Sequence, residues 1–440
     1  MATKPHPSWS LVEDHYEQEY GCQEALYARI AVPPGHRGLF LIGTHLGFKY
    51  TGSVKDLAPL FRQAWIQMRH KFPGLAASTT DRVKIYKPAL DTVLDSWIAE
   101  TFKVHREMTG QELFRDMTKS AHATLHYLPE SSEILLQTEH HHLDGVGLLY
   151  FWDELFKAVI TPQEVQFGDE MQRLPPRSDD ILPMKELWDG QGKALAMEML
   201  APLATDKPVC MPVDVKKAPM RNFSQEYRFD VRTTAAILRE CKNREYTITA
   251  VWHVSMALAI RDIQTADPDI TCPGTTFANF ANFNMRRHFP PGLHEATVGN
   301  YHWALPCALD LGEKSFDKLA REMTAFYRKG LTSDVWCALK PMIEEVTPAF
   351  TSESMTDSTP AVSSLGNLEQ FISRKYGSDW EIMDAWVGDT VTGPWIEGFM
   401  WTWRDRMVFS STYNSGFYKA WDVQNFHETV AQTMKKGLRL

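Results

Sequence analysis

Glu139-His140-His141-His142-Leu143-Asp144-Gly145 is the stretch from which the rest of the chain can be read. Ahead of it, residues 123–128 and 134–138 are short runs of β-forming or apolar residues separated by Pro129-Glu130-Ser131-Ser132. They predict a hairpin-like pair of strands. Behind it, residues 146–158 have the spacing of a helix. The order strand, polar loop, helix puts His140 at a strand end with an aspartate four residues on. An imidazole there is suited to general-base work, because its ordinary pKa near 6.5 lets it accept a proton at neutral pH. Asp144 could tie down the turn or pair with a distant arginine. Gly145 would free the backbone for an unusual conformation or for close approach of another segment. Taken alone, the three consecutive histidines also admit a metal site or a solvated loop. Against a metal, neighbouring residues on an extended chain point different ways, and no HExxH or other diagnostic spacing accompanies them.

Working outward, the 440 residues carry 46 Lys+Arg against 55 Asp+Glu, a formal charge of −9, which disfavours nucleic acid as a partner. With 44% hydrophobic and 23% charged residues the composition is that of a folded globular chain. No apolar run approaches the ~20 residues of a membrane helix, and the N-terminal residues lack the apolar core of a signal peptide. The six cysteines stand singly, which predicts reduced thiols and a cytoplasmic protein rather than a disulfide or zinc framework.

Residues 54–68 predict an amphipathic helix ending before Pro73-Gly74. Three prolines in 172–183 and an irregular stretch at 204–222 mark a linker within 172–222. Beyond it, a strand around 227–229, helices over 233–243, 249–264 and 316–327, and a closing helix over 426–438 are expected. The pattern predicts an α/β protein of mixed sheets. Residues 1–190 form an N-terminal lobe and 191–440 a C-terminal lobe.

His140-x-x-x-Asp144-Gly145, set between strand and helix, resembles the signature of the CoA-dependent acyltransferase superfamily. That group includes chloramphenicol acetyltransferase, the plant BAHD acyltransferases, fungal alcohol acetyltransferases and the condensation domains of peptide synthetases. Further pieces follow in the family's order. Asn284-Met285-Arg286-Arg287-His288-Phe289-Pro290-Pro291, then Val298-Gly299-Asn300, resembles its Asp/Asn-x-Arg segment ending in Gly-Asn. Ser363-Ser364-Leu365-Gly366-Asn367 resembles a Ser-x-Leu-Gly strand, and residues 409–416 with the last helix resemble the closing elements. Two departures tilt the resemblance. Glu139 replaces the first of the paired histidines of condensation domains, and residues 387–395 (VGDTVTGPW) lack the Asp-Phe-Gly-Trp-Gly of the plant branch. The nearest kind is the fungal secondary-metabolite O-acetyltransferase, such as the trichothecene 15-O-acetyltransferases.

The resemblance implies two chloramphenicol-acetyltransferase-like lobes in a V with a tunnel between them. It implies His140 as general base, Asp144 paired with Arg286 as architecture, and no acyl-enzyme. No cofactor is held permanently and no metal is called for. Acetyl-CoA or another acyl-CoA is the co-substrate, a small-molecule alcohol the acceptor, and a monomer suffices. Ser364 and Ser363 are candidates for oxyanion stabilisation, and Trp401, Trp403 and Asn414 for the wall of a pocket for a bulky acceptor. The alternatives keep the fold but take the acyl group from an acyl carrier protein, or turn the cavity to cyclisation or isomerisation of a metabolite.

Overall fold

The predicted hairpin lies inside a six-stranded sheet. In the computed structural model, which describes residues 6–181, 189–290, 293, 298–349, 351 and 357–440, Thr124–Leu128 and Glu133–Glu139 pair antiparallel. Strand order in this first sheet is Lys375–Tyr376, Trp380–Asp389, Leu41–Tyr50, Glu133–Glu139, Thr124–Leu128, Phe102–Val104. A second six-stranded sheet runs His302–Asp310, Thr276–Asn284, Ala361–Asn367, Glu397–Trp403, Arg406–Asn414, Asn222–Arg228. A small four-stranded sheet gathers Ser10–Val12, His15–Glu19, Val83–Tyr86 and Ser78–Thr79. The mixed sheets packed with helices make an α/β fold.

Helices cover the sheets where the apolar spacing said they would, with boundaries set by local chemistry. The helix expected over 54–68 is Ala58–Lys71. Pro59 sits in its first turn, where a fixed φ and a missing N–H cost nothing, so Val54 is left outside and 45% exposed. The apolar helix expected over 249–264 is Ile248–Ala266, capped by Thr247, whose hydroxyl accepts from Ala250 N. The C-terminal helix starts earlier than expected, at Ala420. Part of the predicted linker is ordered as short turns of helix at Glu170–Arg173 and Ser178–Ile181; its residues 182–188 lie outside the described residues.

One core fills the space around each large sheet, and strand Trp380–Asp389 contributes Trp380, Ile382, Ala385 and Trp386 to the first. That strand comes from the C-terminal half of the sequence yet runs antiparallel to Leu41–Tyr50 in the first sheet.

Several buried histidines bear on stability. His126, His253 and His427 are held near 3, in each case chiefly because burial penalises the charged ring. The unfolded chain has ordinary imidazoles, so between pH 6.5 and 3 it binds protons that the fold refuses. Their stabilising effect is therefore complete above pH 6.5 and lost as pH falls. Each ring contributes a slope of up to about 1.4 kcal/mol per pH unit across that window. Urea unfolding at a series of pH values should show stability dropping steeply from pH 6.5 to pH 5; a flat profile would contradict the burial of these rings.

Candidate active site

Strand Glu133–Glu139 carries the chain to the loop, and helix Gly145–Ile160 carries it away. Asp144 is the N-cap of that helix, its Oδ1 accepting from Gly147 N at 2.6 Å. Its Oδ2 accepts from Arg286 at 2.8 Å and from Tyr301 N at 2.6 Å. The Asp144 N–H donates to Gly299 O at 3.2 Å, and Arg286 donates to the same carbonyl at 3.1 Å. Both side chains are 3% exposed or less, and the Arg286 guanidinium also lies over the Tyr301 ring. Burial alone would raise the Asp144 pKa; the Arg286 charge and its hydrogen bond outweigh that and hold it below the ordinary value.

Two glycines make room for this lock. A Cβ on Gly147 would meet Gly299 O at 2.9 Å and the Arg286 guanidinium at 3.0 Å, so the loop after Arg286 could not sit as it does. A Cβ on Gly145 would meet the Leu365 side chain at 2.7 Å, a contact that a flexible leucine can relieve more easily. Pro291, at the end of the Arg286 segment, lies outside the described residues.

His140 is half-buried on the other side of the loop. Its N–H donates to Phe40 O, and its carbonyl accepts from Asn300 Nδ2 at 3.0 Å. The ring lies flat on Tyr27, with centroids 4.3 Å apart and planes 9° apart. The His302 ring is 4.8 Å away. Nδ1 is buried and has only the residue's own carbonyl to interact with, which leaves Nε2 as the nitrogen able to meet a substrate. Burial first, then the neighbouring His302, lowers the His140 pKa to about 3, so the ring is a neutral proton acceptor at pH 7.

Sequence reasoning missed Tyr27, His302 and Gly147 and did not weigh Asn300 as a site residue. Two of these had a legible signal. Residues 299–302 lead into strand His302–Asp310, with the backbone of Gly299 and Tyr301 turned to Asp144 and the side chains of Asn300 and His302 turned to His140. The odd pair serves Asp144, the even pair His140. Tyr27, on helix Cys22–Arg29, is more than a hundred residues from His140 and had no such signal.

The other expected positions fall elsewhere. Ser364 Oγ is 2.9 Å from Thr249 Oγ1, and Ser363 is half-buried in the same strand. Trp401 and Trp403, expected as an apolar wall for the acceptor, are instead 1% and 4% exposed in the first sheet's core. Alternation does place them on one side of their strand, but that side is packed. Asn414, expected in the same pocket, is consumed in a turn: Oδ1 accepts from Met220 N at 2.6 Å and Gly416 N at 3.0 Å, and Nδ2 donates to Val391 O at 2.9 Å.

Glu139, His141 and His142 come together because the turn folds back on itself. Their nearest ligand atoms lie within 4.8 Å of one another. Tetrahedral zinc ligands at ~2.0–2.1 Å from the metal would be ~3.4 Å apart. Moreover, Lys119 already places its ammonium 2.8 Å from Glu139 Oε1, and Thr79 donates to Oε2 at 3.2 Å. A dication would have to enter beside a buried cation, so the donor set fits an ion-pair network better than a metal. Burial opposes the Glu139 charge, but His141, then His142 and Lys119, outweigh it and lower its pKa to about 2.

With this geometry the chain can be set beside known proteins. No family model matches it. It is 25% identical to the acetyltransferase pigO of Monascus ruber over 93% of this chain and 94% of that one. It is 22% identical to the O-acetyltransferase pigM of the same organism, over 82% of this chain and 73% of that one. Its fold superposes on the solved TRI3 trichothecene 15-O-acetyltransferase of Fusarium sporotrichioides with TM-score 0.81, at 16% identity, over 100% of this chain and 99% of that one. These likenesses support the resemblance to the CoA-dependent acyltransferase superfamily. The chain is an acyltransferase with a two-sheet fold of the TRI3 kind. Among the described residues no helix is long and apolar enough to cross a membrane.

Removing one partner of the Asp144–Arg286 pair strands the other charge in the interior. Asp144→Ala and Arg286→Met should each cost about 3–5 kcal/mol in urea unfolding. The double variant should cost well under the sum, and strictly additive losses would show that the pair does not act as a unit.

Proposed function

We propose that this protein transfers an acyl group, acetyl first among them, from acyl-CoA to a hydroxyl of a secondary metabolite, with His140 as the general base. The observation that carries the proposal is His140 itself, a neutral imidazole at a strand end with Nδ1 turned inward, Nε2 free for a substrate, and its loop fixed through Asp144. Nε2 takes the proton from the acceptor hydroxyl as its oxygen attacks the thioester carbonyl. The C=O π bond opens to an oxyanion. On collapse the C–S bond breaks, and the proton on Nε2 passes to the departing thiolate, so that ester and free CoA-SH leave together. No cysteine nucleophile is needed. Ser363 and Ser364 remain the nearest proposals for an oxyanion donor; Ser364 would have to turn from Thr249 to serve.

The acetyltransferase names of the relatives support the acyl class, and the O-acetyltransferase among them supports an oxygen acceptor. Asp144 and Arg286 are architectural in this reading, and the two lobes that bring donor and acceptor together are residues 1–190 and 191–440, corrected by strands Lys375–Tyr376 and Trp380–Asp389, which cross over into the first sheet. Acyl-CoA is a co-substrate and nothing is held permanently.

Thermal unfolding with acetyl-CoA, free CoA and longer acyl-CoAs tests the donor. A ligand at ~100 times its Kd adds ~2.7 kcal/mol to the folded state, enough to raise Tm by a few degrees. A rise with acetyl-CoA supports the reading; no rise with any thioester overturns the CoA donor and favours a carrier-bound one. His140→Ala should keep the fold and the Tm rise while kcat falls about 10³-fold or more, and turnover within tenfold of wild type would rule out His140 as the base.

A further inference from the structure

Two carboxyl groups near His140 lack the partners that burial demands. Asp389 ends its strand in the first sheet, Glu397 begins strand Glu397–Trp403 in the second, and residues 390–396 cross between them. The sheets are pinned here by Thr412, which pairs with Glu397 and donates through Oγ1 to the Asp389 carbonyl at 2.7 Å. Each acidic residue is 6% exposed. Among the described residues neither forms an ion pair; Trp395 is the one donor acting on the Glu397 carboxyl, and the Asp389 carboxyl has none. Thr392 Oγ1, on the crossing loop, is buried and also without a partner. Burial lifts the Asp389 pKa to about 7, and burial with the Asp389 charge lifts Glu397 well above its ordinary value. Buried carboxylates are ordinarily matched by a cation, and none of the described residues supplies one here.

The same wall carries His140. Phe40 N donates to the carbonyl of Thr390, next to Asp389, and Phe40 O accepts from His140 N. The Phe40 ring meets His140 edge-on at 6.1 Å, Tyr27 at 5.5 Å and Trp395 at 6.3 Å. Tyr27 joins the two groups, because its ring lies on His140 while both carboxyl charges act on its phenol. Aromatic faces beside uncompensated carboxyls suit an organic ammonium, which is attracted by the rings as well as by the charge. A divalent metal would want about six oxygen ligands. No third His, Cys, Asp or Glu joins these two among the described residues.

Resting on the reading of His140 as base for a hydroxyl, we infer that Asp389 and Glu397 form the acceptor's cation site: the alcohol that is acylated carries a protonated amine, and these carboxyls hold it. The choice of nucleophile follows. A protonated nitrogen has no lone pair, so while it is seated at the carboxyls only the hydroxyl can attack the thioester. In the empty site protons take the cation's place, and the ammonium displaces them.

The test is thermal unfolding at pH 8 with 2-phenylethylammonium chloride or with neutral 2-phenylethanol, at matched concentration and ionic strength. An alkylammonium resembling that of lysine, with a pKa near ~10.4, keeps its proton at this pH. Wild-type Tm should rise by about 2 °C or more with the ammonium and stand still with the alcohol. Asp389→Asn/Glu397→Gln keeps the shapes and removes both charges. It should unfold at or above the wild-type Tm in the absence of probe and should lose the ammonium response. Equal rises with the two probes, no rise with either, or a double variant that still responds to the ammonium overturns the inference. So does a double variant that unfolds several degrees below wild type, since the carboxyls would then be serving the fold. Acetyl-CoA is run beside the probes, and its Tm rise should persist in the double variant. A rise with acetyl-CoA but none with the ammonium removes the cation site and leaves acyl transfer standing; the converse removes the CoA donor and keeps the cation site.

Discussion

Two charges taken out of water and held 2.8 Å apart, on Asp144 and Arg286, tie the end of one sheet's loop to the segment leaving a strand of the other. Desolvating such a pair costs several kcal/mol per ion, and attraction offsets it only where the remaining lone pairs and protons are met. Here they are met, by Gly147 N, Tyr301 N and Gly299 O. A pair of this kind adds little stability over an apolar replacement of equal volume. Its contribution is definition of geometry, because one arrangement of loop, helix start and following strand satisfies all five groups. The backbone of 299–302 is held on its Asp144 side, and its other side is thereby presented to His140.

The same alternation explains what could be read in advance and what could not. The loop, its flanking strand and helix, and the partner arginine were legible because polar chemistry at a strand end, a capping aspartate and an arginine segment leave local marks. The long helices were legible from their apolar spacing, with errors at their ends where Pro59 or an unrecognised cap decided the boundary. Asn300 and His302 were half-visible, two residues apart on the segment leading into strand His302–Asp310. Tyr27 was not visible, because its value lies in a tertiary contact between helix Cys22–Arg29 and a loop far along the chain. Trp401 and Trp403 lie packed in a core rather than along an open wall, for the complementary reason: alternation says which residues share a face, and says nothing about whether that face meets solvent, substrate or another sheet.

Glu139 organises the groups around it. A carboxylate at the strand end, buried to 6% exposure, requires a cation, and Lys119 supplies one. His141 then lies against the same carboxylate, with Tyr20 packed edge-on beyond it. The side chains on either side of His140 in sequence are thus drawn into an ion-pair cluster behind the loop, and His140 alone is turned toward Tyr27 and His302.

Strand Trp380–Asp389, a late stretch of sequence inside the first sheet, has a consequence for how the chain is made. Its neighbour Leu41–Tyr50 is mostly buried and apolar, and its partner arrives about 330 residues later. At cellular synthesis rates that interval is roughly 15–70 s, during which one edge of the early strand has no strand beside it. An apolar edge with open backbone groups is a template for pairing with another chain. The nascent protein therefore passes through a long interval in which its first sheet can recruit the wrong strand, and slower translation lengthens that interval rather than easing it.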